Sequence, residues 1–460
     1  MNDKAKSWGR ILGPLAALIA AFIGKGDLDV LLLGITAWML IWWVTETVDL
    51  AVTALLPMLL FPLLLGDPLA EVAAKYAHPL VYLFFGGFVL ALGIEKAGLH
   101  RRIALWILMK SGTKPASVLM GFMLATAFLS MWISNTATSI MMLPIATSVL
   151  GALDKEDAQQ LSRPLLLAVA WSANIGGMAT LIGTPPNLIL AGFMESQLGA
   201  SIGFVDWLPY GLTATITIGT IAYFLLTRGL PKQFAKDGAS AHIQQAWQEL
   251  GSTTPTQRAV AFVFATTAVL WILRPYLVKW TGWTGLTDTS IALGCAVALF
   301  AIRSGGKELL VWKDTTKLPW GILLLFGGGL ALAARLQGSY WFESLEVLLV
   351  GLGNIDLLFW LLVMALLGVF ATEMLSNMAL VSSALPLLIP VMAVSGTTFE
   401  QLALPLVLGA SCAFMLPMAT PPNAVVFSTG KLTVGYMMKR GLVMNVIAVV
   451  LLVLISYVIV

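Results

Sequence analysis

Two polar clusters stand inside apolar stretches of this 460-residue chain: Ser134-Asn135-Thr136 in SMWISNTATSIMMLP (130–144) and Ser376-Asn377 in TEMLSNMALVSSALP (372–386). Hydroxyl, amide and carbonyl oxygens are hard donors of the kind a sodium ion takes. Backbone N–H groups at a helix start carry positive partial charge and suit an anion. A chain that turns at either cluster offers both kinds of group at one point. Such side chains also act as glue between membrane helices, worth about 0.6 kcal/mol on average, but two matched copies at turning points ask for more than glue. Each cluster is followed, 50 and 44 residues on, by Thr-Pro-Pro-Asn, at Thr184–Asn187 and Thr420–Asn423. Two successive prolines remove two backbone donors and cannot lie inside a continuous helix, so the span must open there. Gly183 and Ala419, just ahead, leave room for a carbonyl to reach an ion.

Few full charges accompany these motifs. Glu373 adjoins the second cluster, Glu46 and Asp49 lie near the end of the second apolar span, and no Lys or Arg falls within either Ser-Asn or Thr-Pro-Pro-Asn motif. An anion bound here would rely on helix ends, hydroxyls and co-bound cations, which argues for obligatory ion coupling. Glu373 has two readings, a cation ligand or a partner for nearby backbone. His78, His100 and His242 have no ligand spacing, which speaks against a histidine proton relay. No GxSxG, HExxH or Walker-type sequence occurs, so an enzyme and ATP drive lack their signatures. Cys295 and Cys412 fall in apolar runs and read as small packing residues.

The elements that must position these groups are membrane helices. Hydrophobic residues make up 59% of the chain and charged residues 11%, with a mean hydropathy of +0.91. These values define an all-α integral membrane protein embedded in a lipid bilayer. The net charge of +3 and the lack of a basic run with interleaved aromatics exclude a nucleic-acid partner. Eleven windows can cross the hydrocarbon: 8–24, 29–46, 50–66, 79–96, 164–195, 207–228, 257–277, 287–303, 318–335, 402–429 and 434–460. The first is read as an uncleaved span, because no A-x-A pattern closes it. Runs 115–152 and 353–395 are too long for one crossing and break at their Ser-Asn pairs, as re-entrant helical hairpins. With both hairpins re-entering and the N-terminus cytoplasmic, 21 of the 26 Lys and Arg residues fall on the cytoplasmic side and 5 outside, and the C-terminus ends outside. GLHRRIALWILMK at 98–110 fits a helix along the interface. The polar stretch 231–256 reads as a cytoplasmic linker.

The chain also repeats itself. LFFGGFVLALGIEKAGLHRRIALWIL (83–108) answers to LLFGGGLALAARLQGSYWFESLEVLL (324–349), SNTATSIMMLP (134–144) to SNMALVSSALP (376–386), and one TPPN to the other, at separations of 241, 242 and 236 residues. The glycine-pair spans are the fourth and ninth of the eleven, five steps apart with four crossings between them, so the second copy is inverted. Inverted repeats with helices broken at midplane are how secondary transporters build one site reached from alternate sides.

At these residues the chain resembles the divalent anion:Na⁺ symporter family, sodium-coupled transporters of di- and tricarboxylates. The resemblance rests on LFFGGF, LSMWISNTATSIMMLP, GGMATLIGTPPN, LLLFGGGL, TEMLSN and SCAFMLPMATPPNAVVFSTG, in family order. It implies a homodimer with an outer scaffold and an inner transport domain that slides as an elevator, and two Na⁺ sites. The domains expected are 1–110 (scaffold and interfacial helix), 111–230 (transport half with the first hairpin), 231–256 (linker), 257–350 (scaffold) and 351–460 (transport half with the second hairpin). Carried over by motif, one sodium site would use Ser130, Ser134, Asn135 and Gly183, the other Thr372, Leu375, Asn377 and Ala419. Substrate carboxylates would meet Ser134, Asn135 and Thr136 on one side and Ser376, Asn377, Thr420 and Pro421 on the other. One position departs: Met378 stands where the fullest form of the second motif has Thr, which removes a hydroxyl and bears on which anion is preferred. The resulting expectation is Na⁺-coupled symport of C4-dicarboxylates such as succinate, malate or fumarate across a bacterial inner membrane. The alternatives are a dicarboxylate exchanger of the same family and a non-transporting anion receptor.

Overall fold

The apolar runs are helical until Ser-Asn or Pro-Pro interrupts them. The computed structural model describes residues 3–235, 238–350 and 355–459. Residues 1 and 2, Lys236, the boundary at 351, the first residues of the run 353–395 and Val460 lie outside the described residues. Among the described residues, 8 helices are long and apolar enough to cross a membrane, from Ala5–Gly24 near the N-terminus to Val434–Ile459. One of the eight, Asn377–Ser395, lies in the run 353–395 and not in an expected span; the remaining expected spans are shorter or divided. The window 50–66 is cut into Leu50–Thr53, Leu56–Leu60 and the π-helical turn Phe61–Leu65, where Pro57 and Pro62 each withhold a donor. The window 287–303 is the 14-residue helix Asp288–Ala301. The windows 164–195 and 402–429 each open at their Pro-Pro pair.

The glycine-pair helices Pro79–Lys96 and Trp320–Gln337 run in opposite directions, as an inverted repeat requires. Lys96, ending the first, pairs with Asp314 just ahead of the second at 2.6 Å, and Phe84, near the start of the first, meets Phe326, further along the second, with ring centroids 5.4 Å apart. The glycines are points of close approach. A Cβ on Gly86 would collide with Ala292, and one on Gly328 with the Ala54 carbonyl, so only the bare backbone lets these neighbours pack.

Each Ser-Asn run leaves and returns at one end of the molecule. In the first copy, Gln257 donates to the Ala97 carbonyl and the Ala235 N–H to the Asp157 carboxylate, so the two ends of 97–157 are fastened to the linker and to the first turn of the helix Pro255–Thr281 that follows it. Arg102, buried, donates to Gln257 Oε1 and to the carbonyls of Leu250, Gly251 and Ser252. Between these anchors lie the helix Leu99–Ser111 and the hairpin arms Pro115–Ser130 and Asn135–Gly151, both packed on the supporting helix Lys155–Gly177. In the second copy, Tyr340–Val350 packs against Leu388–Ser395, and the Tyr340 N–H donates to Asp29 at the end remote from Lys96. The arms there are Leu357–Ala371 and Asn377–Ser395, the latter loosened to a 3-10 turn at Leu385–Leu387 where Pro386 withholds a donor. The two hairpins therefore enter from opposite ends.

The linker is more ordered than its polarity suggests. It carries the helix Gly238–Glu249, whose His242 ring lies 2.5 Å from the Ser148 hydroxyl on the first hairpin. A two-stranded turn, Arg303–Ser304 against Lys307–Glu308, has no periodic signature in so few residues. Gly305 and Gly306 make it with φ of +63° and +80°, which side-chain-bearing residues rarely adopt. The larger apolar core joins both hairpins to their supporting helices, and a smaller one gathers Leu32, Trp43, Phe61 and Leu325.

Candidate functional site

The first tip is a break of four residues between Ser130 and Asn135. Ser134 caps the second arm from an extended backbone, φ −55° and ψ 142°, and its hydroxyl accepts the Ala137 N–H. Ser130, fully buried, places its hydroxyl 2.6 Å from Asn135 Oδ1 and 2.6 Å from the Ala173 carbonyl of the supporting helix. One hydroxyl proton thus faces two acceptor oxygens. Oxygen in excess of protons is the composition of a cation cage. The second tip repeats it: the Thr372 hydroxyl lies 2.6 Å from Asn377 Oδ1 and 2.7 Å from the Ala410 carbonyl.

The Thr-Pro-Pro-Asn segments form the facing walls. Thr184 and Thr420 are extended, φ −146° and −141°, as residues before proline must be. Each Pro pair then occupies the first turn of a new half-helix, Pro185–Phe193 or Pro421–Phe427, where its missing N–H costs nothing. The motif asparagines hold the unwound strands behind them. Asn187 donates to the carbonyls of Gly177 and Thr180, and Asn423 to those of Ala413 and Leu416. A Cβ on Gly183 would lie 2.5 Å from the Gly177 carbonyl oxygen, so glycine is required where this strand folds back.

Tips and walls enclose one cavity of about 640 Å³. Ser134, Asn135, Thr136 and Gly183 line it from the first copy, and Leu375, Ser376, Asn377, Ala419, Thr420 and Pro421 from the second. Ser130 and Thr372 do not reach it; they stand behind Asn135 and Asn377. The first-turn amides of the arms beginning at Asn135 and Asn377 have no intrahelical acceptor, whereas the proline-started half-helices bring dipoles without those N–H groups. Among the described lining residues only Glu46 carries a charge, and Met378 faces the cavity beside Asn377. A second cavity of about 350 Å³ adjoins at Ser134, Thr136 and Gly183 and runs along the first glycine-pair helix to Glu95 and Lys317, at the linker end.

Of the two readings of Glu373, the structure shows the second, and two further features escaped the sequence reading. The Glu373 carboxylate accepts the N–H groups of Phe414, Met415 and Leu416 and the Asn445 amide, all at 2.8–2.9 Å. It stitches the tip to the unwound strand. In the first copy the corresponding tie runs from the Thr180 hydroxyl to the Met131 carbonyl at 2.6 Å. Glu46, placed by sequence only near a span end, lines the cavity. Asn174, in AVAWSANIGG, bonds Thr420 across the two copies, and its only sequence signal was an amide in an apolar run.

Helices broken in mirrored pairs around one cavity define a multi-pass membrane transporter rather than an enzyme. Residues 11–459 match the family model described as the sodium:sulfate symporter transmembrane region, and the chain belongs to that family, the divalent anion:Na⁺ symporters. It is 36% identical to the sodium-dependent dicarboxylate transporter SdcS of Staphylococcus saprophyticus, over 98% of this chain and 90% of that protein. It is 35% identical to the SdcS of Staphylococcus aureus strain COL over the same shares. The crystal structure of the Alcanivorax borkumensis YdaH transporter superposes with a TM-score of 0.57 at 14% identity, covering 84% of this chain and 87% of that one, a likeness of fold alone.

Proposed function

We propose that the protein is a sodium-coupled symporter of C4-dicarboxylates such as succinate, malate or fumarate. The observation that carries this reading is the mirrored pair of oxygen clusters, Ser130–Asn135–Ala173 and Thr372–Asn377–Ala410, each behind a tip that faces the shared cavity. One sodium ion is held by Ser130, Ser134, Asn135 and Gly183, the other by Thr372, Leu375, Asn377 and Ala419. The carboxylates bind Ser134, Asn135 and Thr136 on one wall and Ser376, Asn377 and Thr420 on the other, with Pro421 giving that wall its fixed backbone. A dianion in a cavity whose one charged lining group is acidic is unfavourable alone. Two cations beside it cancel its charge at short range, where the interaction is strongest. The names of the two relatives support both the ion and the substrate class.

Transport in this reading is an elevator in a homodimer. Residues 1–110 and 257–350 form the fixed scaffold, 111–230 and 351–460 move with the tips, and 231–256 tethers them. The Lys and Arg distribution supports a cytoplasmic linker and N-terminus and an outside C-terminus in a bacterial inner membrane. With that orientation, the adjoining cavity toward Lys317 supports a conformation open to the cytoplasm.

The test is uptake of labelled succinate into proteoliposomes with and without an inward sodium gradient. Uptake that requires the gradient is expected. Uptake indifferent to sodium but driven by internal dicarboxylate would make the protein an exchanger, and saturable binding without flux would make it a receptor.

A further inference from the structure

The two Thr-Pro-Pro-Asn walls are not chemically equivalent, and the difference lies in a residue outside the motif. Asn174 is 1% exposed and Thr420 4%. Asn174 Nδ2 donates to Thr420 Oγ1 at 3.1 Å and to the Ala413 carbonyl at 3.3 Å. The Asn423 N–H approaches the same Thr420 oxygen at 3.5 Å. The Thr420 hydroxyl is therefore an acceptor from two donors, and no acceptor for its own proton exists among the described residues. A hydroxyl with both lone pairs engaged has only its proton left to offer, and Thr420 lines the cavity.

The mirror interaction is missing. Counting back from each motif threonine sets Asn174 against Ala410, and the tip carbonyls, which set Ala173 against Ala410, place it against Ser411, whose buried hydroxyl has no partner among the described residues. Ala410 has no side-chain amide to donate to Thr184, and Thr184 makes no side-chain cap bond. The Asn174 amide oxygen is itself buried and without a partner among the described residues. An asparagine serving packing alone would be better replaced by an apolar residue, because an unpaired buried amide oxygen is costly. The motif asparagines Asn187 and Asn423 also bury an unpartnered amide oxygen, each while donating to two backbone carbonyls; Asn174 is set apart by donating to a cavity-lining hydroxyl.

We propose that Asn174 is a positioning residue that fixes the Thr420 hydroxyl as a donor to a substrate carboxylate, so that the wall of the second copy grips the anion more strongly than the wall of the first. The inference rests on the reading of Thr420 as a substrate contact. It makes the symmetric-looking site polar in one sense: a dicarboxylate binds with one end anchored at Thr420 and the other, beside Thr184, held more loosely. Substitutions at that loose end of the substrate are the better tolerated.

The experiment is a double-mutant cycle on succinate uptake in proteoliposomes at saturating sodium, with N174A, T420V and the pair. Loss of one hydrogen bond from a neutral hydroxyl to the anion predicts a KM raised about tenfold or more in each single variant. The double variant is expected to match either single one, with Vmax and the sodium concentration for half-activation within about twofold of wild type. A purely structural role for Asn174 would lower Vmax and folded yield with KM unchanged. Additive effects, or an unchanged KM in N174A beside a raised KM in T420V, overturn the inference. An unchanged KM in T420V removes Thr420 from the substrate site, which is failure of the underlying reading instead. If N174A does not fold, the isosteric N174D serves: its carboxylate accepts the Thr420 proton, so KM rises at least as far, and an unchanged KM there overturns the inference equally.

Discussion

At the scale of single residues, Asn135 and Asn377 do double duty. Each gives an amide oxygen to a buried hydroxyl at 2.6 Å and each lines the cavity. Replacing either by Ala removes a cation ligand of the proposed site. Hydrogen bonds to charged groups are worth about 1.5–3 kcal/mol, so the sodium concentration for half-activation should rise by about 10–100-fold while the folded protein elutes normally in size-exclusion chromatography. Glu373 should behave otherwise. Its carboxylate takes three backbone N–H groups and the Asn445 amide, and in Glu373→Gln an NH2 would confront some of those donors. The expected result is a loss of about 1–3 kcal/mol of stability, read as a lower unfolding midpoint in sodium-free buffer, without a selective change in sodium dependence. Met378 is the third case. Met378→Thr restores a hydroxyl at the cavity wall and should tighten succinate by up to about tenfold, measured by competition against labelled uptake. Equal inhibition constants in the two proteins would mean that residue 378 does not contact the anion.

At the scale of elements, the breaks were legible and their fastenings were not. Ser-Asn inside an apolar run and Pro-Pro inside a span each contradict a continuous helix on local grounds, and the structure breaks at 131–134, 178–184, 372–376 and 410–420. What holds those breaks depends on distant partners that no local pattern announces. Glu373 meets residues some forty positions on, and Asn174 meets Thr420 from the other copy. The linker read as plain polar sequence, yet Arg102 nails it down through three carbonyls and Gln257. Arg102→Ala should leave those carbonyls free and make 231–256 markedly more open to limited proteolysis in detergent, with cleavage mapped by mass spectrometry. The supporting helices matter as much as the tips. A Cβ on Gly177 would fall 2.6 Å from Asn135 Oδ1, so Gly177→Ala should displace that oxygen and weaken sodium activation much as Asn135→Ala does, although it removes no ligand.

At the scale of the whole molecule, inversion of the repeat is what brings two tips from opposite ends to one cavity. The collinear motifs and the even number of intervening spans predicted the inversion, and the Lys96–Asp314 pair shows it in the antiparallel glycine-pair helices. The number of crossings was less legible, because Pro57 and Pro62 shorten one window and both Pro-Pro spans are divided; 8 helices meet the length and hydropathy of a crossing among the described residues. The account as a whole turns on cation and anion sharing this cavity. Its most direct test is equilibrium binding of labelled succinate to the purified protein as sodium replaces choline at constant ionic strength. The account predicts negligible binding in choline and a steep, more than first-order rise with sodium that is flattened in both Asn135→Ala and Asn377→Ala. Succinate bound equally well in choline would contradict it.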